Sequence, residues 1–175
     1  NHISGTIPSS VGKMSKLILF SVQFNRFTGT IPSSVNNFPT IRFLYVHNNM
    51  LTGDVSSIHM ASTLTEVDLG NNFFYGDFPS SLVTISTIKY FYINNNAFYG
   101  TIPTMVAEYT NLKGIDVGYN CFSSTLPQAL GRMERLELLM VGGNEFVGSP
   151  ANLFTDHTFN NRLKTMDLSN NGFTG

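Results

Sequence analysis

An asparagine recurs along the chain at an almost constant spacing. Its positions are Asn1, Asn25, Asn49, Asn72, Asn96, Asn120, Asn144 and Asn171. The successive steps are 24, 24, 23, 24, 24, 24 and 27 residues. A fixed period of this length predicts a stacked-repeat solenoid, in which each repeat packs only on its neighbours. Because such a solenoid works by presenting a long face to a partner, we expect recognition and not catalysis.

Apolar residues precede each of these asparagines by three, five and eight positions. Before Asn49, for example, they are Val46, Leu44 and Ile41. The two nearest apolar positions are two residues apart, which is the periodicity of a β-strand. We therefore expect each repeat to contain one short strand.

The residues after each asparagine follow a second pattern. An apolar residue comes two positions later, a glycine four positions later, and then an apolar residue followed by proline, as in Phe98, Gly100 and Ile102-Pro103. The glycine suits a turn with positive φ, and the proline ends any local hydrogen-bond ladder. Ser124 replaces the glycine in one repeat. The serines after the prolines are predicted to cap short helical turns.

Taken together, the run LILFSVQFNRFTGTIPSSV, residues 17–35, resembles the plant-type leucine-rich repeat, L-x-x-L-x-L-x-x-N-x-L-x-G-x-I-P. The resemblance covers the whole chain, with seven asparagine-bearing strands and a partial first repeat. It implies an α/β solenoid that forms a curved, right-handed superhelix. Each repeat of about 24 residues would supply one short parallel strand, with irregular or 3₁₀ segments on the convex side.

The resemblance also implies a structural role for the asparagines. Their side-chain amides can donate to and accept from the backbone of the turn after each strand, and the next repeat offers the same groups. A buried ladder along the solenoid is expected. Its members are Asn25, Asn49, Asn72, Asn96, Asn120, Asn144 and Asn171.

The 175 residues are predicted to form one leucine-rich repeat array, 1–175, of about seven repeats. The chain starts and stops inside a repeat, and it has Cys121 alone where the family has paired-cysteine caps. We therefore expect a fragment that lacks both caps. The 27-residue step predicts a bulge within residues 151–162, on the convex side or the lower edge.

Composition and motifs exclude several functions. Only 12% of the residues are charged, the net charge is -1, and no basic stripe stands out along the chain, which argues against a nucleic-acid partner. No apolar run approaches the roughly 20 residues of a membrane segment. Neither a catalytic motif, a cofactor-binding loop nor histidines at metal-ligand spacing are present. We expect no enzyme activity, no cofactor and no metal in this chain.

The residues that alternate with the buried strand positions are expected to face the concave side. One column of this face contains Phe43, Glu66 and Tyr90, and the next contains Tyr45, Asp68, Tyr92, Asp116 and Met140. The predicted ligand-binding residues are Phe43, Tyr45, His47, Glu66, Asp68, Tyr90, Tyr92, Asp116, Tyr119 and Met140.

An acidic pair between aromatic walls favours a cationic side chain of a peptide, and the tyrosines could also stack on a sugar. The alternative is ordinary strand filling, because aspartate in this column resembles the common L-D-L strand motif of the family and aromatic residues are good strand formers.

The resemblance implies a non-catalytic recognition module in the extracellular ligand-binding region of a receptor-like kinase or receptor-like protein. Its partner would be a protein or peptide ligand, with a carbohydrate or a small hormone as alternatives. Two other functions remain open at this point. One is a secreted inhibitor of a cell-wall-degrading enzyme, similar to polygalacturonase-inhibiting proteins, and the other is a structural spacer of a large surface protein.

Overall fold

Two parallel β-sheets run through the chain, one with its strands before and one with its strands after the ladder asparagines from Asn25 to Asn171. The computed structural model describes residues 1–83, 86–154 and 162–175, and within them each sheet adds one strand per repeat. Parallel strands joined by short connections confirm the predicted α/β solenoid. Within the described ranges, no helix is long and apolar enough to cross a bilayer.

The first sheet has seven strands of three residues each, and it contains the strands predicted from the apolar pattern. They are β2 (Leu19–Ser21), β4 (Phe43–Tyr45), β6 (Glu66–Asp68), β8 (Tyr90–Tyr92), β10 (Gly114–Asp116), β12 (Leu138–Met140) and β14 (Thr165–Asp167). Neighbours in space are neighbours in this order. The middle residue of each strand from β2 to β12 is buried, and its two flanking residues point away from the core.

The second sheet has eight strands, and the prediction of a single strand per repeat missed it. They are β1 (Ser4–Thr6), β3 (Arg26–Gly29), β5 (Met50–Asp54), β7 (Phe73–Gly76), β9 (Ala97–Gly100), β11 (Cys121–Ser124), β13 (Glu145–Gly148) and β15 (Gly172–Phe173). The asparagine, the apolar residue and the glycine lie two residues apart, which is itself a strand period. Because the glycine was interpreted as a turn residue, this second strand was not predicted. Ser124, in the glycine position, adopts the same left-handed backbone, with φ +74°.

Short helical turns connect the second sheet back to the first. The described 3₁₀ turns are Ser9–Lys13, Ser33–Asn37, Thr104–Glu108, Gln128–Arg132 and Pro150–Phe154, and one α-helical turn, α1, spans Ser80–Val83. The predicted serine caps are wrong for the first two of these turns. Pro8 and Pro32 occupy the N-cap positions, and neither turn has a side-chain cap hydrogen bond. Most of the predicted bulge, residues 155–161, lies outside the described residues.

A continuous apolar core lies between the two sheets and the helical turns. The phenylalanines that follow the asparagines form a stack in which Phe98, Phe122 and Phe146 are fully buried. Consecutive rings in this stack lie 6.4 Å apart between centroids and are nearly parallel, with interplanar angles of 6° and 11°. In this part of the chain each repeat therefore packs an aromatic ring on the ring of the previous repeat, which contributes apolar burial and offset stacking together.

The asparagine side chains join each repeat to the one before it. The Asn96 amide Nδ2 donates to the Ile93 and Asn94 carbonyls of its own repeat and to the Leu69 carbonyl of the previous repeat, all at 3.1 Å. Its Oδ1 accepts from the Phe74 N–H at 3.0 Å. Asn49, Asn72, Asn120 and Asn144 repeat this arrangement and are buried. The backbone polar groups between the sheets thus obtain partners without water.

The residue before each asparagine has a left-handed backbone. The φ angles are 56° at Phe24, 55° at Asn48, 53° at Asn71, 53° at Asn95, 53° at Tyr119, 69° at Gly143 and 51° at Asn170. Asparagine and glycine adopt this conformation readily, whereas bulky residues do so at an energetic cost. Phe24 and Tyr119 are therefore strained positions in an otherwise unstrained row.

Candidate functional site

The register of the first sheet brings the predicted site residues into adjoining rows. Tyr45 lies opposite Asp68, and Asp68 lies opposite Tyr92 on the next strand. Tyr92 in turn lies opposite Asp116. Because the strands are in register, residues separated by 23 or 24 positions in the chain become neighbours at a spacing of about 4.8 Å.

The second row lies two residues earlier in each strand and contains Phe43, Glu66 and Tyr90 in direct succession. All of these side chains are half-buried, because each packs against its neighbours along the row while one side stays open to solvent. We name the combined surface the aromatic–acidic patch. It consists of Phe43, Tyr45, Glu66, Asp68, Tyr90, Tyr92 and Asp116.

Tyr45 and Tyr92 of the patch stay neutral and interact with its carboxylates. Burial, the Glu66 charge and a side-chain hydrogen bond with Glu66 together raise the pKa of Tyr45 to about 12. Burial and the nearby charge of Glu66, followed by weaker effects of Tyr90, Asp68 and Asp116, raise the pKa of Tyr92 to about 12. Both phenols therefore keep their protons at neutral pH.

The two central aspartates use one oxygen to order the following turn. The Gly70 N–H donates to Asp68 Oδ1 and the Gly118 N–H donates to Asp116 Oδ1, each at 2.9 Å. Burial is the largest effect on both carboxyls and raises the pKa of each above its ordinary value, against the lowering effect of these backbone hydrogen bonds. The charges of Asp68 and Asp167 raise the pKa of Asp116 further. The patch thus holds negative charge that is incompletely compensated.

His47 closes the end of the patch beside Asp68. Its Nδ1 lies 3.0 Å from Asp68 Oδ2, yet the two atoms do not have hydrogen-bond geometry, so we regard the contact as electrostatic. The Phe24 ring meets the imidazole edge-on, with centroids 5.1 Å apart. Phe24 was not among the predicted site residues, although it is 59% exposed. Its signal in the sequence was a bulky aromatic residue in a row that otherwise favours asparagine.

A glycine gives the tyrosines of β8 room to lean across the sheet. A Cβ atom on Gly114 would lie 3.0 Å from Tyr90 Cδ1 and 3.3 Å from the Tyr92 hydroxyl oxygen. Both aromatic side chains therefore occupy space that a side chain on β10 would take. The two rings are 6.1 Å apart between centroids and tilted by 40°. This arrangement fixes one wall of the patch.

Two predicted residues lie at the margin of the patch. Tyr119 follows β10 with a left-handed backbone, is 55% exposed, and covers Gly143 of the next repeat, whose Cβ would meet its ring at 2.6 Å. Met140 lies opposite Asp116 on β12 and is half-buried. The structure thus brings all ten predicted residues onto one face. Within the described residues, no group of three or more histidine, cysteine or acidic residues could hold a metal ion.

The fold matches the ectodomains of plant receptors. The plant peptide hormone receptor RGFR1, solved with RGF2, superposes with a TM-score of 0.86 and 24% identity over 99% of this chain and 31% of the receptor. The Arabidopsis receptor kinase HAESA, solved with the peptide hormone IDA and the co-receptor SERK1, gives 0.75 and 23% over 99% of this chain and 33% of the receptor. The chain thus has the fold of a leucine-rich repeat solenoid, and it spans about a third of the length of these receptors.

Another neighbour has a different function. A plant ice-binding protein superposes with a TM-score of 0.81 and 24% identity over 97% of this chain and 54% of its own. No protein-family model and no curated protein matches the chain. Because one solenoid supports such different functions, the function of this chain has to be argued from its own surface.

Proposed function

We propose that this chain is a non-catalytic recognition module that binds an extended peptide across the first sheet, in an extracellular or cell-surface receptor. The observation that carries the proposal is the aromatic–acidic patch. It combines rigid aromatic walls with Glu66, Asp68 and Asp116. Aromatic residues held on a sheet offer a large contact area at a low entropic cost.

The charge of the patch favours a cationic group on the ligand. Both Asp68 and Asp116 accept a backbone N–H through Oδ1, which keeps a second lone pair on that oxygen. Oδ2 of Asp68 already lies 3.0 Å from His47 Nδ1, so Asp116 has the more available carboxylate for a ligand. A guanidinium group could donate to a carboxylate and also stack on Tyr92 or Tyr45. An arginine side chain of a peptide therefore fits the patch better than a neutral ligand does.

Two of the structural neighbours support a peptide as the ligand. RGFR1 is described as a peptide hormone receptor, and HAESA was solved with a peptide hormone. The patch runs across β4 to β10, perpendicular to the strands. An extended peptide lying along this direction would meet one repeat about every 4.8 Å.

The test is a screen of displayed random dodecapeptides, followed by calorimetry on the enriched sequences. We expect the enriched peptides to contain arginine, and replacement of that arginine by neutral citrulline to weaken binding by about tenfold or more. The double variant Asp68→Asn with Asp116→Asn should weaken binding by a similar factor, because asparagine retains an acceptor for the turn N–H but removes the charge.

The matched control is Asp54→Asn, since Asp54 lies on the second sheet and its Oδ1 accepts from the Ser56 N–H in a comparable turn. This variant should bind the peptides as the parent does. A folded Tyr45→Ala, Tyr92→Ala double variant that binds the peptides unchanged would exclude the patch as the site. Enrichment of peptides without any basic residue would exclude the cationic ligand.

A further inference from the structure

The basic residues of the chain are concentrated on one edge of the solenoid. Seven of the ten lysines and arginines lie nine or seven positions before a ladder asparagine, whereas Glu137 is the one acidic residue of eleven at these positions. The seven basic residues are Lys16, Arg42, Lys89, Lys113, Arg135, Arg162 and Lys164. The basic residues are therefore segregated to particular repeat positions, which the net charge of -1 does not show.

The residues seven positions before the ladder asparagines form a row immediately before the strands of the first sheet. The Thr65 and Glu66 N–H groups donate to the Arg42 carbonyl, and the Lys89 and Tyr90 N–H groups donate to the Thr65 carbonyl. Arg42, Thr65 and Lys89 thus follow one another in successive repeats. The two cations stand two repeats apart, which is roughly 10 Å at the strand spacing.

Arg42 and Lys89 differ from the other two cations of this row, Lys113 and Lys164. Lys113 and Lys164 lie 3.8 Å and 2.5 Å from the carboxylate of Glu137. Neither Arg42 nor Lys89 forms an ion pair in the described part of the chain, and both are exposed. The Arg42 guanidinium lies 5.7 Å from the centre of the Phe43 ring, which orients it without neutralising it.

A groove of about 460 Å³ lies between this row and the row nine positions before the asparagines. The lining comprises Arg42, Thr65 and Lys89 of the first of these rows, Thr40, Thr63, Thr87 and Asn111 of the second, and Ser62. This volume falls in the range of small-ligand sites, and the lining is rich in hydroxyl groups with a cation on either side of Thr65.

Three threonine hydroxyls of the groove already use their protons in hydrogen bonds to the backbone. Thr40, Thr63 and Thr87 donate their hydroxyl protons to the carbonyls of Leu17, Ile41 and Leu64 of the previous repeats, at 3.0, 2.7 and 2.6 Å. Their oxygen lone pairs remain as acceptors. The groove therefore offers acceptors on one side and cationic donors on the other, so a complementary ligand must carry both hydroxyl donors and a negative charge.

We propose that this groove binds an acidic saccharide. Arg42 and Lys89 bind the carboxylate of a uronic acid unit, and the threonine oxygens accept hydrogen bonds from the hydroxyl groups of the sugar. A carboxylate, sulfate or phosphate without hydroxyl groups leaves the threonine side unmatched, and a neutral sugar leaves the two cations unmatched. The groove lies on the edge of the sheet and touches the aromatic–acidic patch through the Arg42–Phe43 contact, but its ligand does not depend on peptide binding by the patch.

The experiment is a calorimetric titration with a trimer of galacturonic acid, with its methyl ester and a glutamate trimer as comparison probes. We expect the acid trimer to bind saturably and the ester to bind about tenfold more weakly or not at all, because it retains hydroxyls but has no charge. The glutamate trimer, which has the charge but no hydroxyls, should also bind at least about tenfold more weakly. Thr65→Val should weaken the acid trimer by a few fold.

The charge variant is Arg42→Gln with Lys89→Gln, and its matched control is Lys13→Gln with Arg26→Gln, which makes the same change in net charge at exposed residues outside the groove. The first should weaken the acid trimer by about tenfold or more, and the second should leave it unchanged. The proposal is wrong if the parent does not bind the acid trimer or if both double variants bind it equally. Equal binding of the glutamate trimer would also overturn it and indicate an acidic polypeptide partner.

Discussion

Two adjacent rows of residues run the length of the solenoid, and they differ in what they tolerate. The ladder row is asparagine in every repeat, and its members are buried or half-buried with several hydrogen bonds each. The row before it shares one left-handed backbone conformation, yet it contains asparagine, glycine, phenylalanine and tyrosine. The ladder row is uniform because only a carboxamide both accepts and donates in that geometry.

The variable row shows where the chain departs from its own pattern. Asparagine and glycine satisfy the left-handed backbone with little strain, so Phe24 and Tyr119 are local violations. Both are more than half exposed, at 59% and 55%, so burial in the core does not offset the strain. Strain of this kind that is not needed for packing is a pointer to function, and both residues border the aromatic–acidic patch.

The largest change in the free energy of unfolding is expected from a substitution in the ladder row. In Asn96→Ala the carbonyls of Leu69, Ile93 and Asn94 each retain another donor, but the buried Phe74 N–H loses its acceptor. Because one orphaned buried donor costs about 1–3 kcal/mol and the bonds themselves are lost as well, we expect a destabilisation of about 2–4 kcal/mol in urea unfolding.

Asn95→Gly is the matched control for that variant. It changes the neighbouring asparagine, which is exposed and left-handed, to the other residue that accepts this backbone. We expect a change of only a few tenths of a kcal/mol, from added flexibility of the unfolded chain. Equal stability of the Ala and Gly variants would remove the energetic distinction between the two rows.

A smaller change, this time a stabilisation, is expected from a substitution at a strained position of the variable row. Tyr119→Asn places at a left-handed position the residue found there in four other repeats. Relief of the strain should exceed the loss of the exposed ring contact with Gly143, so we expect a stabilisation of about 1 kcal/mol. Thermal unfolding of the variant and the parent measures it. A lower Tm would mean that the ring stabilises the sheet more than its backbone destabilises it.

The smallest change in stability is expected from removing the charge of Asp116, which lies on the first sheet beside these rows. Burial raises the pKa of Asp116 in the folded chain, so its charged form destabilises the fold, and this loss develops as the pH rises through the raised pKa. Asp116→Asn keeps an acceptor for the Gly118 N–H and removes the charge. We expect a rise in stability of less than about 1 kcal/mol at pH 7.

The same difference should disappear below the ordinary pKa of 3.8, where Asp116 is neutral in both the folded and unfolded chain. Measuring Tm at pH 7 and near pH 2.5, about one unit or more below the ordinary pKa, therefore separates a charge effect from a packing effect. A stabilisation that is the same at both pH values would exclude burial of the charge as its cause. Binding of a cationic peptide should follow the opposite trend and weaken in the asparagine variant at pH 7.

Much of the first sheet could be predicted because parallel strands in register convert a chain period into a spatial row. Tyr45, Asp68, Tyr92 and Asp116 occupy one frame position in the sequence, and they are consecutive partners in the structure. The second sheet was missed because its period of two includes an asparagine and a glycine, which individually suggest turns. The fine packing at Gly114 could not be predicted, since it depends on which way two tyrosine rings lean.

Electrostatics were harder to predict than the fold. Arg42, Lys89 and Lys164 are far apart in the chain, and a scan for local clusters finds no basic stripe. They lie on one edge only because the repeat length returns each of them to the same side. The strain at Phe24 was likewise missed, because a sequence pattern gives residue identity at a position but not the φ angle that the position requires.

The fixed register of the strands allows only discrete distances between side chains along a row of the first sheet. Two side chains on the first sheet can be separated by one, two or three strand spacings of about 4.8 Å, but by no intermediate value along the row. Tyr45 and Tyr92 are two strand spacings apart, as are Arg42 and Lys89. Such a surface measures a ligand in whole steps, so a change of preferred ligand length would require moving a residue type to another repeat or adding a complete repeat.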